Sequence, residues 1–193
     1  MRDNASKAVY KVVDAKVVNG KVTGSVAYAK PTQTSFKSVS IPSSVTINGG
    51  TYQVTSIAEK AFQNNRKLTK VTIGGNITSI GANAFHGCTK LKTVTIGKNV
   101  TSIGNSAFRK CSSLTKLTIP AKVKKIGKQA FSGCKKLKNI TIKTTKLTKK
   151  SVGSKAFQEI SAKAVIKVPK KQLKTYRSIL KVRGIGKKVK IRK

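Results

Sequence analysis

Phe62, Phe85, Phe108 and Phe131 each follow an alanine and recur every 23 residues. The same interval separates Ile57, Ile80, Ile103 and Ile126, and again Leu68, Leu91, Leu114 and Leu137. Apolar positions that hold one register in this way belong to a chain that stacks a short unit on copies of itself, since no such unit buries its apolar face alone. The expected architecture is one elongated solenoid rather than several domains, because repeat chains grow by stacking. Units that all offer the same face make a binding surface, whereas an enzyme needs dissimilar groups converging on one point.

Two short strand signals occur in each unit. In residues 77–99, ITSIGANAFHGCTKLKTVTIGKN, the segment Leu91–Ile96 puts Leu91, Val94 and Ile96 on an inward face. In the next unit Val100–Ile103 is a second extended piece, followed by Gly104 and a turn or single helical turn carrying Ala107 and Phe108. The phenylalanines are expected to stack as a buried column along the axis. At about 1.5–3 kcal/mol for each fully buried large apolar side chain, that column and its Leu and Ile neighbours should dominate stability.

The flanks read as modified units and caps. Phe36–Val45 aligns with Leu68–Ile77 and is expected to be a repeat strand, with Asn48-Gly49-Gly50 turning a small hairpin inside an insertion at Thr46–Gln53. Lys11–Tyr28 reads as two alternating strands around Asn19-Gly20, an N-terminal cap hairpin within residues 1–34. Repeats occupy residues 35–169, with three extra residues around Leu147–Ser151 in the last unit. Residues 170–193 read as a C-terminal cap: a helix over 170–182 with Leu173, Tyr176, Ile179 and Leu180 on one face, then a strand at Lys188–Ile191.

Charge is the second strong constraint. The chain carries 42 Lys plus Arg against Asp3, Asp14, Glu59 and Glu159, a formal net charge of +38, and 17 of the cations fall in residues 146–193. Such a field concentrates polyanions of any kind in a salt-dependent way. Lysine dominates over arginine, which favours diffuse attraction over bidentate reading of phosphates or bases. There is no Trp, the Phe residues are assigned to the core, and no nucleic-acid motif is present, so sequence-specific nucleic-acid recognition is not expected.

Cys88, Cys111 and Cys134 sit three residues after successive repeat phenylalanines, so they are one structural position seen three times. Equivalent side chains on stacked strands point in parallel, about 4.8 Å apart, which favours buried free thiols over a disulfide. His86 alone offers none of the zinc-ligand spacings, and it occupies a position held elsewhere by Gln63, Arg109, Ser132 and Gln158, which reads as variable and outward. Four carboxylates cannot readily supply an acid/base pair, and neither a nucleophile triad nor a phosphate loop is present. No enzyme activity, cofactor or metal is expected.

The repeats resemble the BspA-like class of bacterial leucine-rich repeats, whose unit runs Leu-x-x-Ile-x-Ile-Pro, then Val-x-x-Ile-Gly-x-x-Ala-Phe-x-x-Cys. The resemblance covers about residues 36–169 and is most specific at Gly81–Cys88, Gly104–Cys111 and Gly127–Cys134. The first unit departs with Ala58 for Gly and Asn65 for Cys, and the last with Ile160 for Cys, as suits end units. The resemblance implies a right-handed leucine-rich-repeat solenoid of short β-strands and turns, on a secreted or surface-attached protein of host-associated bacteria or protists, engaged in adhesion or protein binding. The ending, Val-Pro-Lys-Lys and a Tyr-containing basic helix, is similar to that of secreted proteins of gut Firmicutes. The class brings no shared catalytic residues.

Two candidate surfaces follow. Outward positions of the main strands form lanes, Thr72, Thr95, Thr118 and Thr141 beside Lys70, Thr93, Lys116 and Asn139, suited to a polar or anionic partner. The competing reading is that Thr is simply a good exposed strand residue. A C-terminal polyanion patch would comprise Lys170, Lys171, Lys174, Arg177, Lys181, Arg183, Lys187 and Lys188, against a merely solubilising helix face. The expected function is a non-enzymatic extracellular or cell-surface binding module for a host or bacterial surface protein, or for an anionic wall polymer or glycan. Its alternative is a spacer or wall-attachment segment of a larger secreted protein. No apolar run is long enough to cross a bilayer, and residues 1–16 lack a signal peptide's apolar stretch, so a secretion signal would lie outside this sequence.

Overall fold

Asn19 and Gly20 both take positive φ, +50° and +71°, as a tight hairpin turn of the favoured hand requires. In the computed structural model, which describes residues 1–3 and 7–193 and only the backbone of Val18 and Lys21, this turn joins two long strands. Residues 4–6, inside the expected cap segment 1–34, lie outside the described residues. β1 (Arg2–Asp3) pairs antiparallel with the start of β2 (Ala8–Val18), and β2 pairs antiparallel with β3 (Lys21–Pro31). The expected in–out alternation of β2 stops at Tyr10. Every described residue of the strand from Lys11 to Val17 is exposed, although Lys11 and Val12 lie opposite buried Ala27 and Val26 of β3.

β3 does more than close the end. It pairs parallel with β6 (Gly50–Ile57), which follows β4 (Ser38–Ile41) and β5 (Ser44–Ile47). β5 and β6 form the hairpin expected at Asn48-Gly49, with φ of +51° and +75° at the turn.

From there each coil contributes one main strand and, through the coil of β12, one two-residue minor strand. The order is β7 (Lys70–Ile73), β8 (Ser79–Ile80), β9 (Thr93–Thr95), β10 (Ser102–Ile103), β11 (Lys116–Ile119), β12 (Lys125–Ile126), β13 (Asn139–Ile142) and β14 (Val165–Lys167). The minor strands stack in register, Ile57↔Ile80↔Ile103↔Ile126, and an isolated bridge extends the row to Val152. The main strands form parallel sheets β4-β7-β9 and β11-β13-β14, to which β15 (Lys190–Arg192) is added. Between them, α1 (Leu173–Val182) buries Tyr176, Ile179 and Leu180 against the last coil.

A third ladder runs along the turns. Asn83, Phe85 and Gly87 donate their N–H groups to Asn105, Ala107 and Arg109 of the following coil, at 2.8, 2.7 and 2.8 Å, and Ser106, Phe108 and Lys110 repeat the pattern. This geometry imposes left-handed backbone twice per coil. Lys60, Asn83, Ser106, Gln129 and Lys155 form one such column, with φ of +53° to +59°. Asn64, Gly87, Lys110, Gly133 and Glu159 form the other. At the adjoining Gly104 a Cβ would lie 2.6 Å from Ala82 N, so the close approach of coils demands glycine there. Ala58 is tolerated at the first such position, where the neighbour is the end of β3 and Ala58 N bonds Tyr28 O at 2.9 Å.

The phenylalanine column is present and longer than the repeats. Ring centroids of Phe62, Phe85, Phe108, Phe131 and Phe157 are spaced 4.9, 5.1, 5.4 and 5.4 Å, with interplanar angles of 3–16°. Tyr28 stacks on Phe62 at 5.2 Å and Tyr10 meets Tyr28 edge-on at 5.5 Å, so the hairpin continues the column. The Ile and Leu rows are buried throughout.

Each repeat thiol is a buried donor. Cys88 Sγ bonds Phe62 O at 3.1 Å, and Cys111 and Cys134 bond Phe85 O and Phe108 O at 3.2 Å. All three are free and buried. Burial pushes Cys88 and Cys134 up to about 12 and Cys111 well above its ordinary value. Asn65, at the corresponding position of the first coil, instead accepts from Lys67 N and Leu68 N at 3.1 Å, closing its own turn.

Candidate functional site

The outward lanes are set by strand register. Lys70 lies opposite Thr93 and Thr72 opposite Thr95 in one sheet; Lys116 lies opposite Asn139 and Thr118 opposite Thr141 in the other. Lys70, Thr93, Thr95, Lys116, Thr118 and Asn139 are exposed, while Thr72 and Thr141 are half-buried. Register carries the second lane further than the repeats suggest, from Ser40 opposite Thr72 to Lys167 and Arg192 beyond Thr141. The face is therefore polar through its middle and cationic at its C-terminal end.

The backbone ladder beneath the lanes is interrupted between β9 and β11, although the two strands stay neighbours. Lys143 N donates to Ile119 O at 2.9 Å, and the corresponding position one coil earlier is Pro120, which has no N–H to offer Ile96. Nearby, Thr115 N reaches Lys92 O only at 3.5 Å. β9 and β11 fall in separate hydrogen-bonded sheets. A groove of about 640 Å³ opens at this break, lined by Ile96, Lys98, Thr118, Pro120, Lys122 and Lys143 among others. It brings Ile96 and three lysines together at the C-terminal ends of the main strands, beside Thr118.

Around the edge of the coils runs a second polar row that the sequence reading missed. Asn76 Nδ2 bonds Gln53 Oε1, Asn99 Nδ2 bonds Gly75 O at 2.7 Å, and Lys122 Nζ bonds Asn99 Oδ1 at 2.7 Å. Beside it, Thr78 and Thr101 donate from Oγ1 to the carbonyls of Thr55 and Thr78 at 3.1 and 3.0 Å. Gln53, Asn76, Asn99 and Lys122 recur at the same interval as the Phe column, so spacing alone held that signal.

The C-terminal patch divides into parts with different jobs. Arg183 is half-buried and donates from Nη2 to Lys149 O at 2.6 Å, while its backbone carbonyl accepts from Phe157 N at 3.1 Å. It holds the cap to the last coil, a structural role beside its candidate place in the patch. Lys170 and Lys171 are exposed in the 3-10 turn before α1, and Lys174 borders a separate depression beside Leu147 and Thr148. Arg177, Lys181 and Lys187 face a groove of about 890 Å³ between α1 and β15; exposed Lys188 lies just outside it. Tyr176 anchors the helix beneath them. Its hydroxyl donates to Thr144 O at 2.9 Å and accepts from Leu147 N at 3.2 Å, and burial raises its pKa.

His86 is half-buried rather than outward, with Nδ1 3.4 Å from Gln63 Nε2 on the preceding coil. Burial lowers its pKa, and Arg109 and Lys110 lower it further. Among the described residues no three or more His, Cys, Asp or Glu side chains cluster as metal ligands would, and no helix is long and apolar enough to cross a membrane.

Comparison with known proteins agrees with this geometry. Residues 55–180 match the model of the BspA type leucine rich repeat region, in six copies. The fold is similar to that of the leucine-rich repeat protein of T. pallidum, at 26% identity and a TM-score of 0.68, over 88% of this chain and 72% of that one. It is also similar to a leucine-rich repeat protein from Bacteroides capillosus, at 30% identity and a TM-score of 0.58, over 71% of this chain and 94% of that one. A leucine rich cell surface protein from Faecalibacterium prausnitzii matches at 26% identity and a TM-score of 0.53, over 82% of this chain and 55% of that one. No curated protein matches.

Proposed function

The chain belongs to the BspA-type leucine-rich repeat family, and from that premise we propose that it is a non-enzymatic binding or adhesion module working outside the cell or on its surface. The observation that carries this reading is the polar main-strand face, with Lys70, Thr95, Lys116 and Thr118 exposed, and a groove that brings Ile96 and three lysines together beside Thr118. A broad repeated face that presents rows of like residues suits recognition of an extended or repetitive surface better than it suits chemistry on a small molecule. The description of the Faecalibacterium relative as a cell surface protein supports the location.

The partner in this reading is a host or bacterial surface protein that meets the sheet face. The positive field raises the local concentration of acidic partners before contact forms. A second reading, a spacer or wall-attachment segment held to an anionic polymer, is favoured by the concentration of cations at the C-terminal end.

The two separate by salt. We would present the purified protein with matrix proteins, anionic wall polymers, sulfated glycans and nucleic acids at low and physiological salt. Retention of one protein at physiological salt supports face recognition. Indiscriminate polyanion binding that disappears with salt supports the wall-attachment reading instead.

A further inference from the structure

β15 closes the main sheet at its C-terminal edge, and its hydrogen bonds reveal which way each residue faces. Lys190 N donates to Ala164 O and Arg192 O accepts from Val168 N, both at 3.0 Å, so residues 190 and 192 turn their backbone groups toward β14. In a parallel pair the intervening residue turns its groups the other way. Ile191 therefore presents N–H and C=O to the open edge, and the carbonyl already takes a hydrogen bond from Arg177 Nη2 at 3.2 Å. The amide of Ile191 is left facing the groove between β15 and α1.

That groove has a clear chemistry. Ile185, Val189 and Ile191 supply apolar surface. Arg177, Lys181, Lys187, Lys190 and Arg192 line it with five cations and no carboxylate. Lys190 and Arg192 are exposed on the outer face of β15, and Ile191, half-buried, packs inward against the core.

We propose that the groove between α1 and β15 is a docking site for an acidic, extended peptide segment of a partner protein, which adds to the open edge of β15 as a further strand. Residues of an added strand lie on the same faces as their neighbours in the strand they join. The segment would therefore alternate, with carboxylates beside Lys190 and Arg192 and apolar side chains beside Ile191. The occupant is not a second copy of this chain. Charge on a short edge strand is a device against self-pairing, and the cations that repel another β15 attract an acidic strand.

This site adjoins the cationic C-terminal end of the main-strand face through Lys190 and Arg192. Its test is read on Ile191 and Lys181, which lie outside the Thr lanes, so that its failure is distinguishable from failure of that reading. A fluorescent peptide of alternating glutamate and valine would be titrated into the whole protein at physiological salt. Controls are oligoglutamate of equal charge, a scrambled peptide and a sulfated glycan fragment. Ile191→Pro removes the outward N–H without touching the bonds to β14, as proline is tolerated on an edge strand. We expect the alternating peptide to bind more tightly than every control and Ile191→Pro to weaken it about tenfold, the value of roughly one backbone hydrogen bond. Lys181→Glu should weaken it more than Lys150→Glu, an equal change of charge outside the groove. A circular dichroism spectrum and melt of each variant checks that the fold is kept. No binding overturns the proposal. So does binding that matches oligoglutamate or the glycan and falls equally with Lys181→Glu and Lys150→Glu, and so does a folded Ile191→Pro that binds as well as the parent.

Discussion

Tyr28 stacks on Phe62 with ring centroids 5.2 Å apart and planes 16° from parallel, so a strand outside the repeats supplies the next ring of their aromatic column. The column is thereby buried at its N-terminal end by a hairpin that shares its spacing. In the middle of the stack Phe108 has rings on both sides and no solvent exposure. Phe108→Ala should cost about 3–5 kcal/mol, because coils held by the minor-strand and turn ladders on both sides cannot collapse into the space. Chemical denaturation of the two proteins measures it.

The thiols give a prediction with a definite sign. Cys88 and Cys134 have folded pKa values near 12 against an ordinary value of 9.0. A raised folded pKa contributes stability that is fully present below the unfolded value and is lost as pH rises through the folded one. Stability should therefore fall between about pH 9 and 12 more steeply in the parent than in a variant with all three cysteines changed to alanine. A thiol reagent should leave the native protein unmodified at neutral pH and label Cys88, Cys111 and Cys134 once it is unfolded.

Backbone strain gives a matched pair of substitutions. Lys110 is exposed with φ of +59°, at the position where the coils on either side have Gly87 and Gly133. Left-handed backbone costs a non-glycine residue about 1–2 kcal/mol, and glycine's extra unfolded freedom offsets about 0.5–1 kcal/mol of the relief. Lys110→Gly should stabilise by up to about 1 kcal/mol. Gly104→Ala should destabilise by about 1–3 kcal/mol, because the new methyl meets backbone of the neighbouring coil. Thermal melts of the two variants should shift in opposite directions.

With a net charge of +38, the folded chain repels itself. An exposed pair such as Lys60 with Glu59, 3.4 Å apart, contributes little against that field. Raising salt from a few millimolar to the physiological range should raise the melting temperature. An unchanged melt would mean that the cations are too dispersed to matter.

The Phe, Ile and Leu columns were legible because a fixed interval in sequence becomes a fixed position in space when identical coils stack. The turn hairpins were legible for a local reason, since Asn19-Gly20 and Asn48-Gly49 are suited to positive φ. Tyr28 was not, because it lies outside the repeat register and joins the column only through the pairing of β3 with β6. The left-handed columns were also hidden. Lys60, Ser106, Gln129 and Lys155 have no local preference for that conformation, which the N–H ladder between coils imposes. At the candidate face, sequence identified the lanes but not the gap in the backbone ladder beneath them, which falls where Pro120 has no N–H to offer Ile96. Arg183 looked like its basic neighbours in sequence, and only the position of Lys149 O distinguishes it.

The central claim is that a partner meets the main-strand face. The direct measurement is the affinity of the retained partner at physiological salt for the parent and two variants of equal net charge. Thr95→Glu with Thr118→Glu alters the face, and Lys187→Gln with Lys188→Gln alters the C-terminal end. The account predicts that the face variant loses at least about tenfold in affinity while the other stays close to the parent. Equal losses in both, or a loss only in the C-terminal variant, would contradict it.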